Sequence, residues 1–140
     1  MKYGALILML LPVFATGCSE SSVPKQTVTR PAELKPADET AAIRILGEIN
    51  QAQADYIRRN RRYALTFDEL IESRFMKQEP SKDTTGYEIK LRPAADAASY
   101  RIVASPIGAS ATSMFLFTDK TGVIRREQGK EATADSSPIS

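Results

Sequence analysis

The chain has 140 residues, with nineteen Lys and Arg against seventeen Asp and Glu, one Cys and no His or Trp. This near-balance of charge supplies no global field to steer the protein toward nucleic acid or anionic lipid. The lack of His and of a second Cys removes intramolecular disulfides, His-assisted nucleophiles and the usual zinc and copper ligand sets.

The first informative stretch is the N-terminus. Lys2 is followed by an eleven-residue apolar run from Ala5 to Ala15 (ALILMLLPVFA), then by Thr16, Gly17 and Cys18. A positive start, a short apolar run and small residues form the layout of a secretory signal. The run is too short to span a bilayer core of ~30 Å as a helix. A lone Cys is commonly a buried thiol, but this one closes the small-residue site. The residues ATGC resemble the bacterial lipobox, with Ala15 where that motif prefers Leu. The resemblance implies lipidation of Cys18, cleavage after Gly17, and a mature chain held in the envelope by a triacylated Cys18. Two or more acyl chains anchor stably where one does not. Ser19 after the Cys implies the outer membrane over the inner.

The segments divide as 1–17 signal peptide, 18–37 lipidated disordered tether, 38–127 folded domain and 128–140 disordered tail. Residues 19–37 (SESSVPKQTVTRPAELKPA) contain three Pro and several Ser and Thr, with no apolar period. That composition reads as a flexible or polyproline-like leash. Residues 128–140 (QGKEATADSSPIS) show no apolar face.

Asp38 to Asn60 reads as a long amphipathic helix capped by Asp38. Its apolar stripe runs through Ala42, Leu46, Ile49, Ala52 or Gln53, and Tyr56, with Ile45 and Ile57 at the edge. Gly47 is expected to permit a close approach by a neighbour, and Asn60 to close the helix as a left-handed cap. A second helix is expected over Thr66–Met76, with Thr66 and Glu69 as a capping box and Leu65 with Leu70 as a staple. After Pro80 the period changes from 3.6 to 2. Strands are expected at Tyr87–Arg92, Tyr100–Ser105, Met114–Thr118 and Val123–Arg125, with a tight turn at Asp119–Gly122. The expected architecture is α+β, with the long helix and a short one packed on an antiparallel meander of about four strands.

This order resembles the globular head of type IV pilins and type II secretion pseudopilins. The resemblance rests on Ala42, Ile43, Leu46, Ile49, Asn50, Ala52, Gln53 and Tyr56; on Gly86 and Tyr87; on Ala104 and Pro106; and on Phe115 or Phe117, Asp119, Gly122, Ile124 and Arg125. It covers roughly residues 38–126. Pilins begin with a prepilin cleavage site and a long apolar helix, which a lipoprotein signal and a tether replace here. The resemblance therefore implies a pilin-like head on a lipid leash that works by contact with an envelope protein. A pilus or secretion system is the nearest setting.

Arg58, Arg59, Arg61 and Arg62 (in RRNRR) are candidate partner-binding residues. They also suit a helix C-terminus electrostatically, and Asp55 is placed to pair with Arg59. Glycan or DNA binding through this turn is the alternative reading, although DNA readout would want a wider basic face or interleaved aromatics. Phe115 and Phe117 read as core or as an exposed edge-strand contact. Asp68, Glu69 and Glu72 near a helix start read as capping residues before they read as acid/base groups, so a small cell-envelope hydrolase is the weakest alternative. Asp83 and Asp119 fall short of the oxygen donors that a calcium site needs. No enzyme activity, catalytic residue, cofactor, metal or small-molecule substrate is expected.

Overall fold

The computed structural model describes residues 37–139. Cys18, the signal and the tether up to residue 36 lie outside the described residues. The described chain is α+β, with three helices and one five-stranded antiparallel sheet.

Helix α1 runs Glu39–Asn60. Asp38 caps it, its carboxylate accepting the Ala41 N–H at 2.9 Å, and Glu39 in the first turn complements the helix dipole. The helix ends at Asn60 as expected, but its left-handed cap falls one residue later. Arg61, not Asn60, takes the left-handed conformation (φ 62°), and its N–H bonds the Ile57 carbonyl. Asn60 stays helical because its side-chain amide donates to the Tyr56 carbonyl four residues back (3.1 Å). Gly47 is exposed, and a methyl group there would touch nothing within 4 Å, so no neighbour uses its missing side chain.

The buried face of α1 is Ala42, Ile45, Leu46, Ile49, Ala52, Gln53 and Tyr56, the 3.6-residue stripe of an amphipathic helix. It shares one core cluster with Tyr87, Tyr100, Ile102, Ala104 and Leu116 from the sheet, and with Ala64, Phe67 and Leu70 from the segment after α1.

That segment contains α2, Phe67–Glu72. Thr66 Oγ1 accepts the Glu69 N–H as a capping box requires, but Glu69 reaches the Leu65 N–H rather than that of Thr66. Leu65 is 37% exposed, so it is a poor staple. The helix stops well short of Met76. Arg74 turns left-handed (φ 63°), and the N–H groups of Phe75 and Met76 both fold back onto the Leu70 carbonyl. This returns Phe75 to the core edge-on to Tyr56, with ring centroids 6.2 Å apart. A four-residue helix α3, Lys82–Thr85, precedes the sheet and ends at left-handed Gly86.

Strands β1 (Tyr87–Pro93), β2 (Tyr100–Pro106), β3 (Met114–Asp119), β4 (Arg125–Gln128) and β5 (Ser137–Pro138) form a meander in chain order. Period-2 alternation sends Tyr87, Ile89, Leu91, Tyr100, Ile102, Ala104 and Leu116 to the α1 side. Val103 and Phe117 form a second small cluster with Ala132, against which Phe115 packs. The Asp119–Gly122 turn closes as expected, with Gly122 at φ 75° bonding the Asp119 carbonyl.

Two expectations about the C-terminus are corrected. Strand β4 begins at Arg125 and continues through charged residues to Gln128, because cross-strand pairing with β3 extends to Met114. Residues 128–139 are not a free tail. Ala132 and Ser136 are buried, Ser137–Pro138 pairs with β4, and Ile139 packs on the main core. The Arg125 guanidinium donates to the Ser136 carbonyl at 2.9 Å. With so few apolar residues, this anchoring leaves no periodic trace.

A buried side chain ties α1 to the chain that follows. Gln53 Nε2 donates to the Ala64 carbonyl (3.1 Å), and Gln53 Oε1 accepts the Ala64 N–H (2.9 Å). Both residues are fully buried. Replacing Gln53 by Ala strands both backbone groups. The expected loss is about 2–6 kcal/mol, read by chemical denaturation, at the unsatisfied-group cost of roughly 1–3 kcal/mol each. An unchanged midpoint would show that water replaces the amide freely.

Candidate interaction surfaces

The basic run does not act as four equivalent cations. Arg58 pairs with Asp55 one turn earlier, and Gln51 also donates to that carboxylate (3.2 Å). Asp55 therefore pairs with Arg58 rather than with Arg59. The Gln51 amide and the Arg58 guanidinium hold the Asp55 carboxyl below its ordinary range.

Arg62 is held still more firmly. Its two terminal nitrogens meet the two Glu69 oxygens at 2.9 and 3.1 Å, and its guanidinium lies 5.4 Å from the centre of the Tyr56 ring. Glu69 Oε2 also accepts the Tyr56 hydroxyl (3.2 Å) and the Leu65 N–H (2.9 Å). A carboxylate with this many donors stays charged to low pH. The Arg62 hydrogen bond is the largest cause, and burial opposes it. Burial and the adjacent Glu69 charge push the Tyr56 hydroxyl up.

Arg59 and Arg61 are exposed and have no ion-pair partner among the described residues. Arg59 faces a shallow hollow of about 350 Å³, shared with Asn60, Glu72, Ser73 and Arg74. Among the described residues, the unpaired cations at this end of α1 are thus Arg59, Arg61 and Arg74, with Arg62 held against the fold and Arg58 paired with Asp55 at the surface. Arg74 joins them only because the chain turns left-handed there, so spacing in the sequence gives no sign of it.

Phe115 and Phe117 do not form an exposed edge. Their strand is third of five, paired on both sides, and Phe117 is buried. Phe115 is half-buried.

A hollow of about 610 Å³ lies along α1. Ile45, Ala52, Phe75 and Met76 give it an apolar floor, and the Arg44–Glu48 ion pair lies on its rim. This groove also depends on the turn at Arg74, which a continuous helix to Met76 would abolish.

Below α1, Asn50 donates to Thr118 Oγ1 (2.8 Å) and to the Gly122 carbonyl (3.3 Å), and accepts the Tyr100 hydroxyl (3.1 Å). Burial pushes the Tyr100 hydroxyl strongly upward, so it stays protonated as a donor. These residues tie the helix to the β3–β4 turn.

Compared with known proteins, the chain matches no family model, no curated protein and no solved structure.

The Glu69 arrangement sets a pH dependence. A carboxyl whose folded pKa lies below its unfolded value of about 4.3 stabilises the fold above that value, and loses the effect as pH falls through the folded pKa. Wild type is therefore expected to exceed Glu69→Gln in stability at pH 7, with the gap closing below about pH 4. Urea melts at a series of pH values check this. A gap independent of pH would assign the loss to shape rather than charge.

Proposed function

We propose that this chain is a non-enzymatic, lipid-anchored protein of the bacterial envelope whose head is pilin-like and acts by protein contact, as an accessory of a pilus or secretion system. The observation that carries the reading is the sequence FATGCSE at residues 14–20, which places the lone Cys directly after an apolar run and a glycine. The head supports it through its order of elements, a long capped helix followed by an antiparallel meander. Arg59 and Arg61 at the end of α1, and the apolar groove beside α1, are the surfaces available for a protein partner.

The engagement of Arg58 and Arg62 counts against glycan or DNA contact through a four-arginine turn, because half of the run is already spent.

The anchor is tested by the mass of the mature protein. Wild type should begin at Cys18 and carry acyl chains, whereas Cys18→Ser should remain an unacylated precursor. An unacylated wild type would remove the anchor and the envelope reading with it. Contact is tested by recovery of partners from envelope extract. Arg59→Ser with Arg61→Ser, or Met76→Asp in the groove, should lower recovery. Equal recovery with both variants would exclude these surfaces.

A further inference from the structure

The face of the sheet opposite α1 carries a feature that the contact reading does not use. Arg92 on β1 stands directly opposite Arg101 on β2. Like charges placed opposite each other on neighbouring strands destabilise a sheet. Beside them a hollow of about 430 Å³ is lined by both arginines, Ser99, Phe117, Asp119 and Lys120.

Two carboxylates, Asp119 and Glu131, lie near the three cations Arg92, Arg101 and Lys120, which leaves a net positive charge at the hollow. Asp119 stands opposite Arg101 in the β2–β3 register, but its Oδ1 accepts the Thr121 N–H (2.8 Å) and hydroxyl (2.6 Å) within its own turn. Neither Arg101 nor Lys120 has a carboxylate within ion-pair distance among the described residues. Arg92 has only Glu131, at 3.8 Å, with both side chains about half exposed. An exposed pair of that kind contributes little.

The walls are fixed in advance. The β1–β2 hairpin closes through the Ala94 N–H bond to the Ser99 carbonyl, and its buried Ala97 accepts the Tyr63 N–H at 3.0 Å. Buried Phe117 contributes an apolar wall. Arginines paired across adjacent strands have Cα atoms about 5 Å apart, so their forks can converge on one group. A planar carboxylate satisfies one fork. A phosphoryl group has three terminal oxygens and can satisfy both, with a third for Lys120.

We propose that this hollow binds a phosphoryl group carried on a small polar body such as a sugar, through Arg92, Arg101 and Lys120. The volume suits a ligand of that size. Glu131 competes for Arg92 and is displaced on binding. The inference does not depend on the anchor or on the contact surfaces above.

The test uses the purified full chain in uncharged detergent, titrated with inorganic phosphate, with glucose 6-phosphate, and with phosphatidic acid carried in micelles of the same detergent. NMR shifts of the Arg101 and Lys120 amides provide the readout, and a thermal melt of each variant checks folding. Saturable binding of glucose 6-phosphate is expected. Arg101→Ser should weaken it about tenfold or more, the value of one charge-assisted hydrogen bond. Glu131→Gln should tighten it. Lys82→Ser, which removes one positive charge from a residue that does not line the hollow, should leave it unchanged. Binding of the sugar phosphate without the phosphatidic acid identifies a soluble ligand, and binding of the phosphatidic acid identifies a membrane phosphate. No saturation by any of the three up to about 10 mM would overturn the proposal. So would an equal loss from Lys82→Ser and Arg101→Ser.

Discussion

One constraint organises the head: α1 and the front of the sheet each present an apolar face that only the other can cover. Leu46, Ile49, Ile102 and Leu116 are all fully buried in the shared cluster. Neither face would be stable in water alone, since a single helix or an isolated meander lacks a second layer. Burial of apolar area at roughly 25 cal/mol per Å² makes this contact the dominant favourable contribution. The polar ties then fix how the layers sit. Asn50 reaches Thr118 and the Gly122 carbonyl, so α1 cannot slide along the sheet without breaking both bonds.

The same contact sorts the charges. Tyr56 belongs to the buried stripe, and its hydroxyl points to Glu69, which in turn holds Arg62. An arginine near the helix end is thereby drawn into the fold by a residue whose position the core has already set. Arg59 and Arg61 lie beyond this reach and stay in solvent. The split of the basic run is a consequence of helix phase, not of the arginines themselves.

Much of this was legible in residue order. The α1 stripe, the Thr66 cap, the first three strands and the Gly122 turn each follow from local chemistry that acts within a few residues. What was not legible depends on distant contacts. The early stop of α2 requires Arg74 to adopt a left-handed conformation that local propensity disfavours, and the return of Phe75 to Tyr56 rewards it. The anchoring of residues 128–139 rests on Ala132, Ser136 and Ile139, too few and too irregularly spaced to form a period. In the apolar stripe Gln53 stands as an alternative to Ala52, and its role as a clamp on Ala64 needs the chain to have turned back already. The opposed arginines of β1 and β2 are invisible without the register.

If the mutual burial of α1 and the sheet holds the head together, a charge placed in its centre must be felt by the whole domain. Ile49 is fully buried there, whereas Ala54 on the same helix is exposed. The most direct measurement compares thermal unfolding of wild type, Ile49→Asp and Ala54→Asp. A buried unpaired carboxylate should cost several kcal/mol or be forced to take up a proton. Ile49→Asp should therefore melt well below wild type or fail to fold, with Ala54→Asp close to wild type. If Ile49→Asp melts within about two degrees of wild type, the helix face does not form the core.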